Sequence, residues 1–161
     1  MREYKFRGIS TINPKIFIYG SLRLSNQNEA VIFEPFSYDR DNGVTGYNVF
    51  SVDGNTVGQF TGLKDKNGVE IYEGDIIEYQ EWHGSVEHAM IEADFKSKGK
   101  PAPNYMVKRV ILWHPYGHYI TRPTNDLTDM TYAGDTFSGT TPQKAWQVVG
   151  NIQQNPNLLK P

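Results

Sequence analysis

The chain has no cysteine. That absence removes disulfides, a thiol nucleophile and thiolate metal sites together. It also lacks any long apolar run. No stretch approaches the ~18 residues of a membrane span, and the opening "MREYKFRGIS" holds no apolar core of a signal peptide. The expectation is a cytoplasmic protein without a membrane partner. No charge of one sign dominates either: 16 Lys and Arg stand against 18 Asp and Glu, a formal net charge of −2. A near-neutral chain exerts no global pull on nucleic acid or on an anionic membrane. The phosphate-loop pattern G-x-x-x-x-G-K-[ST] is missing, so that route to nucleotide hydrolysis is closed. No serine sits in G-x-S-x-G, and Ser138 lies in a polar stretch. No cofactor is implied.

Apolar residues are sparse at 38%, yet aromatics reach 13%. One ring buries much area, so a thin apolar set can still build a core. The 15 glycines and 9 prolines imply many turns, and 161 residues fit one domain or two small interlocked lobes. The first third reads as closely spaced strands. "EYKFRG" alternates large and charged residues, and "KIFIYGSL" is apolar and closed by Gly20. "AVIFEPF" and "GYNVFSV" are separated by a turn at Asn42-Gly43, and Asp53-Gly54 makes another. This spacing predicts an antiparallel meander over 1–62.

The segment "TGLKDKNGVEIYEGDII" then reads turn, strand, turn, strand. Gly62, Gly68 and Gly74 supply the bends, and Asn67-Gly68 suits the positive φ of a tight turn. Alternation places Ile77 and Tyr79 on one face with Asp75, and Ile76 and Glu78 on the other. A helix is predicted from about Val86 to Lys98. Ser85 suits the N-cap, and Val86, Ala89, Met90 and Ala93 recur at helical spacing. Gly99 can end it, and Pro101 prevents continuation. "YMVKRVILWH" follows as a long central strand, "PYG" turns it and "HYI" returns. A polar loop runs over 121–143, with only a weak helical turn near Asp126 to Met130. "AWQVVGNI" is a last strand, and "NPNLL" a helical turn that tucks Leu158 and Leu159 inward.

Three stretches, "REYKFRG", "TVGQFTGLKDKNGVEIYEGDII" and "VVGNIQQNPNLL", resemble the YopX family of phage- and prophage-encoded proteins. "KIFIYGSL" resembles the family's second strand, with Phe17 where tryptophan is expected. The resemblance implies a mainly β protein of phage origin. It brings no established activity, so no catalytic residue is carried over. It marks Gly62, Asn67, Gly68, Glu73, Gly74, Asp75, Gly150 and Asn151 as motif residues of structural character. Residues 80–143 lie outside the matched stretches, and the helix there reads as an insert.

Several clusters are candidate sites. His88 and Glu92 are four apart on the predicted helix and could supply two zinc ligands. No third ligand is evident, and a solvated polar pair explains them as well. His114 and His118 share that spacing, but Pro115 and Gly117 exclude a helix, so a turn is expected. Glu70, Glu73, Asp75 and Glu78 crowd one segment, as a metal-dependent hydrolase would require of converging carboxylates. Gly74 interrupts them, and Asp75 suits a turn residue that accepts backbone N–H bonds. "DKNG" is too short for a calcium loop. Lys96, Lys98, Lys100, Lys108 and Arg109, with Tyr105 and Trp113 nearby, form the basic concentration. Basic residues interleaved with aromatics suit single-strand binding. Equally, the lysines complement a helix C-terminus, and Lys108 and Arg109 point to opposite faces of one strand.

The fold expectation is mainly β. A meander lobe (1–62) precedes a small SH3-like barrel (63–161) that carries the inserted helix, about 86–98. A non-enzymatic binding or regulatory module, with a protein partner, leads. Alternatives are a nucleic-acid-binding module using 96–109 and a metal-dependent hydrolase. No metal is expected, and a homo-oligomer is compatible with the sequence.

Overall fold

A computed structural model describes residues 4–25, 29–39, 41, 43–80, 86–99, 106–114, 118–123 and 146–159. Among these residues ten strands form two antiparallel sheets. They are β1 (Phe6–Ile9), β2 (Phe17–Leu24), β3 (Ala30–Asp39), β4 (Gly43–Val52), β5 (Gly58–Lys64), β6 (Glu70–Tyr72), β7 (Asp75–Gln80), β8 (Met106–His114), β9 (His118–Pro123) and β10 (Gln147–Asn151). Helix α1 spans Val86–Ser97, between β7 and β8.

The first sheet has the order β4-β3-β2-β1-β5-β6. β1 to β4 are the expected meander, and β5 returns to the free side of β1. The sheet curls until the C-terminal end of β4 meets the end of β1. Ser10 bridges Val52, Thr11 N–H donates to the Ser51 carbonyl at 3.1 Å, and Asp53 N–H donates to that of Ile9 at 2.9 Å. Inside the curl Ala30, Ile32 and Val52 are buried, with Ile18, Leu22 and Val57 against them. Gly20 does not close β2 as expected; the strand continues to Leu24. Glycine is needed there for space, because a Cβ would stand 2.1 Å from the Phe33 carbonyl oxygen. Gly62 likewise lies inside β5, at φ 87°, where the β5–β6 register shifts. It makes a bulge within a strand rather than a turn between strands.

The second sheet has the order β10-β7-β8-β9. β8 is interior, as its two apolar faces require, and Ile111 and Val110 are fully buried on opposite sides. The chain passes between sheets at the Glu73–Gly74 turn, with Gly74 at φ 81°. Ile71 of the first sheet packs with Ile77, Tyr79, Ile111 and Trp146 of the second segment, and Leu63 completes this core. Fully burying such a side chain contributes about 1.5–3 kcal/mol.

The helix lies close to its expected bounds, and Gly99 at φ 62° follows it as the left-handed stop. Its expected apolar face is not buried where it is described: Met90 is 68% exposed and Ala93 is exposed too. Helical spacing reports local propensity. It does not guarantee a packing partner. The expected N-cap Ser85 and the turn near Asp126–Met130 lie outside the described residues. A short 3-10 turn at Pro156–Leu159 half-buries Leu158 and Leu159.

Candidate binding cleft at the seam between the sheets

Arg7 of β1 reaches the seam, where it meets Asp75 of β7. The Arg7 side chain is only 8% exposed and that of Asp75 only 1%. Arg7 Nη2 lies 2.6 Å from Asp75 Oδ1 and donates to the Glu73 carbonyl at 3.3 Å. The guanidinium carbon is 4.5 Å from the Phe17 ring centroid and 5.0 Å from that of Tyr72. A weakly hydrated, delocalised cation beside two rings is a favourable arrangement away from water. Asp75 Oδ2 accepts from Tyr72 N–H at 2.8 Å, which closes the β6–β7 turn. Burial pushes the Asp75 carboxyl up, while Arg7 and the Tyr72 N–H pull against that.

A second set lies beside this pair. Glu70 Oε2 is 2.6 Å from Lys5 Nζ and accepts from the Tyr72 hydroxyl at 2.7 Å. Burial acts to raise the Glu70 carboxyl, but those two donors and the charges of Lys5 and Lys64 hold it below its ordinary value. Burial, then the Glu70 carboxylate, push the Tyr72 hydroxyl far above its usual range.

Asp65 binds the seam further along. Its Oδ1 accepts from Asn67 N–H at 2.7 Å and Val69 N–H at 2.9 Å, and its Oδ2 from Val148 N–H at 3.0 Å. Burial opposes the charge, yet the three N–H groups outweigh it and hold the carboxyl low. Lys66 N–H donates to the Trp146 carbonyl at 2.9 Å, so the β5–β6 turn is tied to the start of β10 twice. Asn151, 7% exposed, accepts from Gln153 and Gln154 N–H at 3.0 and 2.9 Å, folding the chain back after β10. Gly150 permits this fold: a Cβ would stand 2.6 Å from Asn155 Oδ1.

Between these groups lies an open cleft of about 610 Å³. Lys5, Tyr19, Glu70 and Tyr72 line it from the first sheet, and Val148, Asn151, Gln154 and Asn155 from the C-terminal segment. Arg7 and Asp75 reach it as well. Its volume falls in the range of ligand pockets, about 300–1,000 Å³. A smaller cavity of about 150 Å³ shares Arg7, Phe17 and Asn151 with it and borders Glu73. Burial pushes the Glu73 carboxyl up, against the N–H groups of Gln59 and Trp113.

The residues singled out from sequence are distributed unevenly. Asp75, Gly150 and Asn151 line the cleft, and Glu73 and Gly74 border the smaller cavity. Asn67 and Gly68 sit in the turn that Asp65 holds, with Gly68 at φ 83°. The four carboxylates of this region do not converge: Glu70 and Asp75 have cationic partners of their own, and Glu78 lies 4.0 Å from Lys108. Among the described residues no group of three His, Asp or Glu side chains could hold a metal ion. His114 and His118 are cross-strand partners of the β8–β9 hairpin, as the expected turn requires. His88 and Glu92 lie on α1, and their side chains fall outside the described ones, as do Lys100 and Tyr105. The basic segment is dispersed. Lys96 is exposed on α1, and Lys98 pairs with Asp94 at 2.7 Å. Lys108 and Arg109 are adjacent in β8 and so point to opposite faces. Among the described residues no helix is long and apolar enough to cross a membrane.

Sequence reasoning missed Arg7, Lys5, Tyr72 and the long-range bond of Asp65. A weak signal exists for Arg7: it alternates with apolar Phe6 in a short strand. Nothing local names Asp75 as its partner.

Two antiparallel sheets joined by a polar seam define a mainly β protein, without reference to any activity. A family model described as YopX protein matches residues 5–160, and the chain belongs to the YopX family. A solved structure, that of protein EF1440 from Enterococcus faecalis, is 22% identical with a TM-score of 0.52. The match covers 99% of this chain and 100% of that one, and at this identity it speaks to the fold alone. No curated protein matches the chain.

Proposed function

We propose that this protein is a non-enzymatic binding or regulatory module of phage or prophage origin, which holds a protein partner at the inter-sheet cleft. The observation that supports this reading is the pairing of charge inside the cleft. Arg7 is bound to Asp75, and Glu70 is bound to Lys5 and Tyr72. A general base or nucleophile must be available to substrate, whereas these groups are occupied by one another. What the cleft offers a partner is its shape and the ring of Tyr19, which is 39% exposed. Aromatic residues at a cleft mouth suit a protein interface.

The test is capture from phage-infected host lysate on immobilised protein, with and without nuclease, alongside Tyr19→Ala. The reading expects a partner that survives nuclease and is lost with Tyr19→Ala. Capture abolished by nuclease, and unaffected at Tyr19, would replace it with the nucleic-acid reading.

A further inference from the structure

The outer strand of the first sheet is unusual, and it lies apart from the cleft. β4 stands at the end of the strand order, with β3 beside it. Edge strands of this length commonly carry charge or proline against pairing with other chains. β4, "GVTGYNVFSV", has neither over its ten residues. Tyr47 is 50% exposed and Val49 is 58% exposed.

The hydrogen-bond phase of β4 follows from its closed end. Ser51 gives its carbonyl to Thr11, on the side away from β3. Backbone groups alternate in direction along an antiparallel strand, so Val49 and Tyr47 also aim theirs away from β3. Tyr47 lies opposite Pro35, which has no N–H to offer, and this fits the same phase. Ser51 is therefore satisfied within the chain. Among the described residues, Tyr47 and Val49 have no such partner on that side.

We infer that β4 is a self-association edge, and that its occupant is β4 of a second copy, antiparallel about a two-fold axis at Asn48. In this register Tyr47 and Val49 of one chain exchange N–H···O bonds with Val49 and Tyr47 of the other. The exposed side chains meet as aromatic and β-branched cross-strand pairs, a favourable combination. The edge is uncharged, so the symmetric pairing opposes no like charges and buries none. One patch serves both chains, as a closed two-fold dimer requires. The first sheets of the two copies would join into one continuous sheet.

The experiment is sedimentation of the full chain from low to high micromolar concentration. The expected result is a reversible monomer–dimer equilibrium. Val49→Glu and Tyr47→Lys should each shift it strongly toward monomer, with the folded circular dichroism spectrum retained. Val49→Glu is the cleaner variant, because the Tyr47 ring also meets that of Phe33 edge-on at 6.2 Å. A mixture of the two variants should associate again, since the register sets the introduced ammonium of one chain opposite the introduced carboxylate of the other. A wild-type chain that stays monomeric throughout would overturn the proposal. So would a dimer indifferent to both substitutions, or a mixture that fails to associate when each variant is folded.

Discussion

Two sets of charged residues in this chain fare differently in the folded molecule. The seam holds Arg7, Asp75, Lys5, Glu70 and Asp65. The 96–109 segment holds Lys96, Lys98, Lys108 and Arg109. In the seam, side chains from separated parts of the chain meet, Arg7 and Asp75 buried and Lys5 and Glu70 partly so, and each charge is answered by a partner across the fold. On α1, Lys98 is answered by Asp94, four residues away and over half exposed. The contrast shows that charge acquires structural weight through burial. A buried charge that loses its partner is left uncompensated, at about 3–5 kcal/mol, whereas an exposed pair contributes about 0–1 kcal/mol.

Breaking the seam should therefore produce the largest effect. Arg7→Met leaves Asp75 buried without its cation and should cost about 3–5 kcal/mol, read from urea unfolding. Gly74→Val should follow. Its φ of 81° places a β-branched residue in the left-handed region, at a cost above ~1 kcal/mol in a thermal melt. An unchanged midpoint would show that this turn does not control the passage between the sheets.

The pH dependence sharpens the comparison. Asp65 and Glu70 have carboxyls held below their ordinary values. Their contribution is present above the unfolded-state pKa, about 4, and is lost as pH falls through the folded values. Glu73 and Asp75 are pushed up by burial and act in the opposite sense, their burden easing on protonation. Asp65→Asn should lower stability at neutral pH and flatten the loss on acidification, measured by urea midpoints across that range. The smallest effect belongs to the basic segment. Lys98→Ala should change stability by no more than about 0.5 kcal/mol, since an exposed i,i+4 pair contributes little.

Much of this fold was legible because strands and turns are local. Asn-Gly, Asp-Gly and alternating apolar residues located the strands of both sheets, and Gly99 located the end of α1. The apolar face of α1 misled, since Met90 repeats with the helical period yet lies exposed. Within the site, Asp75 was readable as a turn acceptor from its position after Gly74. Its ion pair was not, because Arg7 is brought to it only when β1 takes its place between β2 and β5. Asp65 shows the same division: "DKNG" encodes the bonds to Asn67 and Val69, whereas the bond to Val148 depends on β10 arriving from the far end of the chain.

The coupling of Arg7 to Asp75 across the seam is the central claim. A double-mutant cycle with Arg7→Met, Asp75→Asn and their combination, followed by urea unfolding, measures it directly. The predicted coupling energy is roughly 1–3 kcal/mol, with the double variant losing less than the two single losses combined. Losses that add to within about 0.3–0.5 kcal/mol would contradict it, because independent sites behave in that way.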